Sequence, residues 1–382
     1  MDFDLNEEQD MLRRSVREFA DRVLEPRAAE LDRAAAFPAA EVEQMAAMGL
    51  MGVAIDSDYG GAGMDALAYA VAVEEISRGC ASCGVIMSVN NSLTCDPIAR
   101  YGSDAQRSRW LPGLCDGTII GCFALSEPGT GSDAAAQQTT ARRQGDDWVL
   151  HGAKNFITNG AQAGVCVLLA MGDRSLGVKG INAFVVPTDL PGYAVAKNEH
   201  KLGIRASSTS QISLDNVVVP GDALLGRPGE GFKIALSTLD GGRIGIAAQA
   251  VGIAQAAYEA ALRYAGQREA FGRPIGHLQA IQMMVADMAT EIRAARLLVW
   301  RAAWLKQAGQ SYGPASAIAK LYASEMSGRV TSRALQIFGG YGFCCDFPAE
   351  RHFRDARITE IYEGTSEVQR LVIARSVLAE SA

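Results

Sequence analysis

Three segments near the end of the chain, Phe232–Gly266, His277–Ala308 and Ala315–Phe338, keep apolar residues at helical spacing over lengths more than twice that of an average helix. Helices that long must bury their apolar faces along one another. No motif repeats at a fixed period, so a solenoid is not expected, and the pattern predicts a bundle of long antiparallel helices. A fourth helix is expected over Ser366–Glu380, from Val368, Leu371, Val372 and Leu378.

Upstream the texture changes twice. The first part reads as helical: Met11, Leu12, Val16, Phe19 and Val23 form a stripe closed by Pro26, and further stripes run through Glu41–Leu50 and Ala66–Arg78. The glycine-rich loop Asp56–Gly63 separates those two, and a polar helix over Ser103–Gly113 is expected to end at Pro112-Gly113. From about Gly121, short runs rich in β-branched residues take over: Trp148-Val-Leu, Val165 to Ala170, Ala183-Phe-Val-Val and Val217-Val-Val. Gly, Asn, Asp and Pro separate them without intervening helices, which predicts antiparallel strands in a small barrel or sandwich, not a doubly wound parallel sheet. The expected fold is α+β, with a helical domain over 1–120, a β-domain over 121–230 and a four-helix bundle over 231–382.

The charge balance, 36 basic against 43 acidic residues, supplies no basic face for nucleic acid. Eight cysteines in 382 residues make no disulfide framework, and Cys122 and Cys166 lie in apolar runs where thiols pack as core. Cys80-Ala-Ser-Cys83 has no second pair at zinc spacing and the four histidines are scattered, so no metal site is expected. The adjacent Cys344-Cys345 has no assigned role. The acidic start, Met-Asp-Phe-Asp-Leu-Asn-Glu-Glu, resembles neither a signal nor a transit peptide, and the uncharged run Asn155–Gly172 is broken by Asn, Gln and Gly. A soluble protein of a reducing compartment is expected, in the cytoplasm or, for a processed chain, the mitochondrial matrix.

No dinucleotide fingerprint, P-loop, nucleophile elbow or zincin motif is present. Phe123-Ala-Leu-Ser-Glu-Pro-Gly-Thr-Gly-Ser-Asp133 is either a surface turn or a cradle whose amides and hydroxyls wrap a phosphate or polar ring edge. In Asn155-Phe-Ile-Thr-Asn-Gly160, Phe156 and Thr158 share one face if the strand is regular, one placed to stack on a flat ring and the other to hydrogen-bond it. In Ile361-Tyr-Glu-Gly-Thr-Ser-Glu367, Ser366 and Gln369 fit a capping box, and Gly364 frees the backbone just before it. Glu363 would then sit on a fixed turn. Taken alone, that stretch more readily gives a loop carboxylate beside a helix start, where negative charge is mildly favoured.

Seven runs in order resemble the acyl-CoA dehydrogenase family, and most of all its short-chain (butyryl-type) members. They are Gly84–Leu93, Phe123–Asp133, Lys201-Leu-Gly-Ile-Arg205, Gly242-Arg-Ile-Gly-Ile-Ala247, Arg268 with Phe271-Gly272, Gln336-Ile-Phe-Gly-Gly340 and Ile361–Glu367. The resemblance implies an FAD enzyme that oxidises an acyl-CoA to the trans-2-enoyl-CoA, Glu363 taking the α-proton while a hydride leaves the β-carbon for flavin N5. Burial beside an acyl chain would raise that carboxyl from about 4.3 towards 6–7, a change of about 2–4 kcal/mol, with the helix start opposing by about 0.3–1 kcal/mol.

The same resemblance gives the remaining roles. Phe123, Leu125, Ser126, Thr130, Gly131 and Ser132 would flank FAD, Ser132 also lying near the pantetheine. Phe156, Ile157 and Thr158 would lie against the flavin. Arg268, Phe271 and Gln279, with Gln336, Ile337, Phe338, Gly339 and Gly340, would hold its pyrophosphate and adenine, partly from a neighbouring subunit of a homotetramer built as a dimer of dimers. Thr365, Ser366 and Glu367 complete the cofactor set, and Asp240, Gly241, Gly242, Arg243 and Gly364 match substrate positions. An electron-transferring flavoprotein is the implied oxidant. Some branches carry their base at the position of Gly242, and glutaryl-type members carry an arginine near Gly84; this chain has neither. Phe156 stands where many relatives have tryptophan, and Thr94 and Cys95 depart from the short-chain pattern in a region expected to face the acyl pocket. An oxidase that passes electrons to oxygen, and an inactive acyl-CoA-binding protein of the same fold, are the alternatives.

Overall fold

The computed structural model describes residues 4–380; the first three residues of the acidic start, and the last two of the chain, lie outside them. Helix α1 (Glu7–Phe19) opens with a capping box between Asn6 and Gln9. Pro26 does not close this stripe. A π turn, Ala20–Leu24, leads straight into α2 (Glu25–Ala34), with Pro26 in its first turn. Helices α3 (Ala39–Ala47), α4 (Ala66–Gly79), α5 (Ala81–Ser88), α6 (Asp96–Tyr101) and α7 (Asp104–Cys115) follow. Helix α7 runs through Pro112 rather than stopping there, because the Pro112 carbonyl still accepts from Asp116 N at 3.0 Å.

A second π turn, Val89–Cys95, joins α5 to α6, and two buried asparagines anchor it. Asn90 donates to the carbonyls of Met51 and Leu114 and accepts from Gly121 N; Asn91 donates to the carbonyls of Leu50 and Met87 and accepts from Val53 N. These bonds tie the helical part to the first strand.

Eight strands form one sheet: β1 (Gly121–Ala124), β2 (Thr140–Gln144), β3 (Asp147–Thr158), β4 (Val165–Met171), β5 (Ile181–Pro187), β6 (Tyr193–Asn198), β7 (Thr209–Val219) and β8 (Leu224–Leu225). The order β6-β7-β3-β2-β4-β5-β8 has two ends and does not close into a barrel. The sheet is also not purely antiparallel: β1 pairs with β4 in parallel along its length, and β2 meets β4 in parallel at Thr140 and Met171. Strand β4 is apolar throughout because both its faces are covered. Val165, Val167, Leu169 and Met171 face the helices, while Cys166, Leu168 and Ala170 join Trp148, Phe184 and Leu214 in a core of the sheet's own.

The long helices are α8 (Gly231–Gln267), α9 (Gln279–Gln307) and α10 (Gly313–Phe338), followed by α11 (Ala349–Ala356) and α12 (Ser366–Glu380). Helix α8 packs on α9 and α10, and α12 lies on α10. Helix α4 also packs on α8 and α9, so one apolar core runs from the first helices into the bundle. No helix among the described residues is long and apolar enough to cross a membrane.

Candidate active site

Between α11 and α12 the chain makes a tight turn in which Glu363 (φ 51°) and Gly364 (φ 92°) are both left-handed. For glutamate this conformation costs of order 1 kcal/mol or more and persists only where its surroundings hold it. Gln369 reaches back from α12 and donates to the carbonyls of Glu363 (3.2 Å) and Gly364 (2.9 Å), while Lys320 Nζ donates to the Gly364 carbonyl at 2.7 Å. The expected capping box at Ser366 does not form. The cap is one residue earlier, where Thr365 Oγ1 accepts from Val368 N at 3.3 Å, and Ser366 is the first helical residue with a buried, unpartnered hydroxyl.

The Glu363 carboxyl points inward, and its Oε2 is buried without a hydrogen-bond partner. Burial pushes it up to about 7, and the cations opposing the rise are Lys320 and Arg243. Gly242 makes room for it: a Cβ there would overlap Oε2 and meet Leu93 Cδ2 at 2.8 Å. The carboxyl lies where a side chain on residue 242 would begin, and glycine leaves that space open.

The carboxyl faces a cavity of about 670 Å³, within the range of small-molecule sites. Val85, Val89 and Leu93, one turn apart, supply an apolar wall, and Phe123 and Leu125 another. Ser126, Gly131, Ser132, Phe156, Ile157, Thr158, Arg243, Gly364 and Thr365 also line it, so residues from distant parts of the chain meet there. Thr94 and Cys95 do not. Thr94 packs against Gly121 and Cys95 turns towards the Met51 carbonyl, because the π turn rotates both away. Strand β3 is irregular at the site: its pairing with β7 slips between Lys154 and Ile157, and Phe156 takes φ 59°. The two-residue alternation fails, yet Phe156 and Thr158 still line the same cavity, with Phe156 64% exposed.

A buried ion pair holds the Phe123–Asp133 turn. Lys154 Nζ donates to Glu127 Oε1 (2.8 Å), the Leu125 carbonyl (3.2 Å) and Gln137 Oε1 (3.1 Å), and the Glu127 carboxylate also accepts from Gln138 N and Thr139 N. Thr130 Oγ1 in this turn is buried and unpartnered. On α8, Arg243 donates to Asp240 at 2.5 Å, and Gly241 faces Lys306 and Tyr312 rather than the cavity.

The other candidates lie apart. Arg268, Ile337, Phe338, Gly339 and Gly340 line a separate cavity of about 460 Å³ with Tyr264 and Tyr341. Phe338 stacks on Tyr264, ring centres 4.3 Å apart, so its ring belongs to the core. Gln279, Gln336 and Glu367 are exposed, and Phe271, at φ 54°, is 88% exposed. A groove of about 820 Å³ on the sheet, lined by Arg142, Arg143, Arg174 and Lys179, holds none of the candidate residues. Among the described residues no three His, Cys, Asp or Glu side chains could hold a metal; Cys80 and Cys83 are buried and free, and Cys344 and Cys345 are exposed.

Sequence reading missed Lys320 and the Lys154–Glu127 pair, and it placed Gln369 in a capping box where its side chain instead holds the Glu363 and Gly364 carbonyls. A signal for the first was there. Lys320 is the one charge in Ala315-Ser-Ala-Ile-Ala-Lys-Leu321, at helical spacing from Ser316 and Ser324.

Family models for the acyl-CoA dehydrogenase N-terminal, middle and C-terminal domains match residues 6–118, 122–217 and 229–378. The chain is 55% identical over 375 residues to the mitochondrial short-chain specific acyl-CoA dehydrogenase of Bos taurus, covering 98% of this chain and 91% of the relative. It is 48% identical over 377 residues to the short-chain specific acyl-CoA dehydrogenase of Clostridium acetobutylicum, covering 99% and 100%. The structure of butyryl-CoA dehydrogenase from Megasphaera elsdenii superposes with a TM-score of 0.97 at 42% identity, over 99% of this chain and all of that one. With three domain models in chain order, and this identity along nearly its whole length, the chain belongs to the acyl-CoA dehydrogenase family.

Proposed function

We propose that the protein is an FAD-dependent dehydrogenase of short-chain acyl-CoA thioesters, with Glu363 as the base that removes the α-proton. The observation that carries this is the Glu363 carboxyl: buried, unpartnered at Oε2, facing an apolar cavity, and raised to about 7, where a general base works best. The short-chain relatives support the substrate class.

The cavity suits the cofactor. Phe123, Leu125, Phe156 and Ile157 offer apolar surface to a flat ring, Ser126, Ser132 and Thr158 offer hydroxyls to its edge, and Thr130 Oγ1 lacks a partner. When bound, FAD supplies the acceptor for the hydride that leaves the β-carbon. Val85, Val89 and Leu93 give an acyl chain an apolar wall, and Ser132, on the same cavity, keeps the role beside the pantetheine that the resemblance implies. Substrate that displaces water from this wall removes the remaining solvation of Glu363, so the carboxylate gains by taking the α-proton. The proton then rests on a carboxyl oxygen held over Gly242.

Arg268, Phe271, Gln279 and Gln336–Gly340 are assigned to the pyrophosphate and adenine of FAD. Their place outside the main cavity supports a grip on a neighbouring chain's cofactor, hence a homotetramer built as a dimer of dimers. Thr365, Ser366, Glu367 and Asp240 keep the roles implied by resemblance, as do the domain limits 1–120, 121–230 and 231–382, whereas Gly241 faces away from the cavity and is not assigned to substrate. Electrons would pass to an electron-transferring flavoprotein, in the cytoplasm or mitochondrial matrix.

Anaerobic addition of butyryl-CoA to the yellow holoprotein tests the reading. Bleaching is expected, weaker with long-chain or branched thioesters. Glu363→Gln is expected to keep flavin and thioester binding and lose turnover by about 10³-fold or more. A variant with half the native rate would overturn the base. Fast reoxidation by air with peroxide formed would make oxygen the acceptor.

A further inference from the structure

Lys320 sits in the middle of α10 with no exposed surface, on a buried stripe with Ser316, Ser324, Ser327 and Thr331. A buried ammonium costs several kcal/mol unless a carboxylate bonds it, and an aliphatic side chain would fill the space more cheaply. Lys320 nevertheless gives its hydrogen bond to a backbone carbonyl, that of Gly364, at 2.7 Å. Gly364 follows Glu363 in the left-handed turn, and Gln369 donates to the same carbonyl from the other side. The two donors brace the two residues whose backbone strain aims the carboxyl.

The charges around the pair come from four elements. Glu363 feels Lys320 from α10 and Arg243 from α8, and it acts in turn on Tyr69 of α4 and on its neighbour Tyr362. Lys320 is surrounded by Glu363, Arg243, Glu360 and Glu367, and burial lowers it to about 8. Arg243 already bonds Asp240, so Lys320 is the cation without a bonded carboxylate beside the base.

We infer that Lys320 is a positioning residue for proton abstraction: it clamps the Glu363-Gly364 turn through the Gly364 carbonyl and serves as countercharge to the carboxylate. This rests on Glu363 being the base, and it makes two separable contributions. The hydrogen bond sets where the carboxyl points. The charge sets the pH at which the carboxylate forms: with the cation removed, the proton is held more tightly, and the acid limb of kcat/KM moves to higher pH.

The test uses holoenzyme bearing K320M, K320Q or K320R, with flavin content, affinity for 2-butenoyl-CoA read from the flavin spectrum, and kcat/KM for butyryl-CoA against pH. K320M is expected to lose about 100-fold in kcat, the scale of a misplaced reacting group, with flavin retained. K320Q, which keeps a donor without charge, is expected to recover part of kcat while its acid limb stays about one unit above native. K320R restores the limb. If K320M does not fold, K320Q decides: a native acid limb there overturns the inference, as does native kcat in K320M. Glu363→Gln measured alongside separates the readings. A near-native rate overturns the base itself, whereas a dead Glu363→Gln beside an unshifted K320Q overturns only the role of Lys320.

Discussion

Gly242 and Glu363 come from different segments and meet in one place, where a Cβ on Gly242 would run into Oε2 and Leu93 Cδ2. Gly242→Ala adds a methyl where Oε2 lies, so the carboxyl must turn away. A fall of about 100-fold in kcat is expected, with flavin content unchanged, since the flavin-facing residues are untouched. A rate within threefold of native would show that the carboxyl has room to spare. Much at this scale was legible. A glutamate just before a flexible glycine and a helix start is open to reading as an aimed carboxylate, and residues from several of the family runs line one cavity with it. Thr94 and Cys95 were not legible, because an inserted π turn changes which residues share a face. Neither was the unpartnered burial of Oε2, which depends on contacts far along the chain.

Whole elements were read most securely where one period runs long. Helices α8, α9, α10 and α12 begin and end within two residues of expectation, since many turns of apolar spacing outweigh uncertainty at the ends. Neither proline is a stop: Pro26 lies in the first turn of α2 and Pro112 inside α7. The parallel pairing of β1 with β4 left no local trace either, because register between distant strands is set by packing on both faces. The turn after β1 shows how such an element is fixed. Glu127 and Lys154 are almost wholly buried, and Lys154 is pressed down to about 8 by burial, against the pull of Glu127. Glu127→Gln leaves an uncompensated ammonium and is expected to destabilise the protein by about 3–5 kcal/mol near pH 7. The folded-state pKa of Lys154 would fall further below its unfolded value of about 10.4. The folded variant therefore binds fewer protons than its unfolded chain, and its deficit should shrink as pH rises towards 9.5. Urea unfolding at the two pH values checks this; an equal deficit at both would assign the loss to packing alone.

At the scale of the molecule, one chain presents its candidate cofactor residues in two places: a lined cavity, and an exposed shallow one around Arg268 and the turn after α10. Arg268→Ala is expected to lose flavin on dialysis at least several-fold faster than the native protein, with fold retained. Unchanged occupancy would remove Arg268 from the cofactor set. The proposed sharing of one cofactor between two chains has a further consequence. A cofactor gripped by two chains links its own affinity to their association, so dilution alone would loosen the flavin, and added flavin would draw subunits together. Such a catalyst has no working form at vanishing concentration, and its activity per chain would rise with the number of chains present.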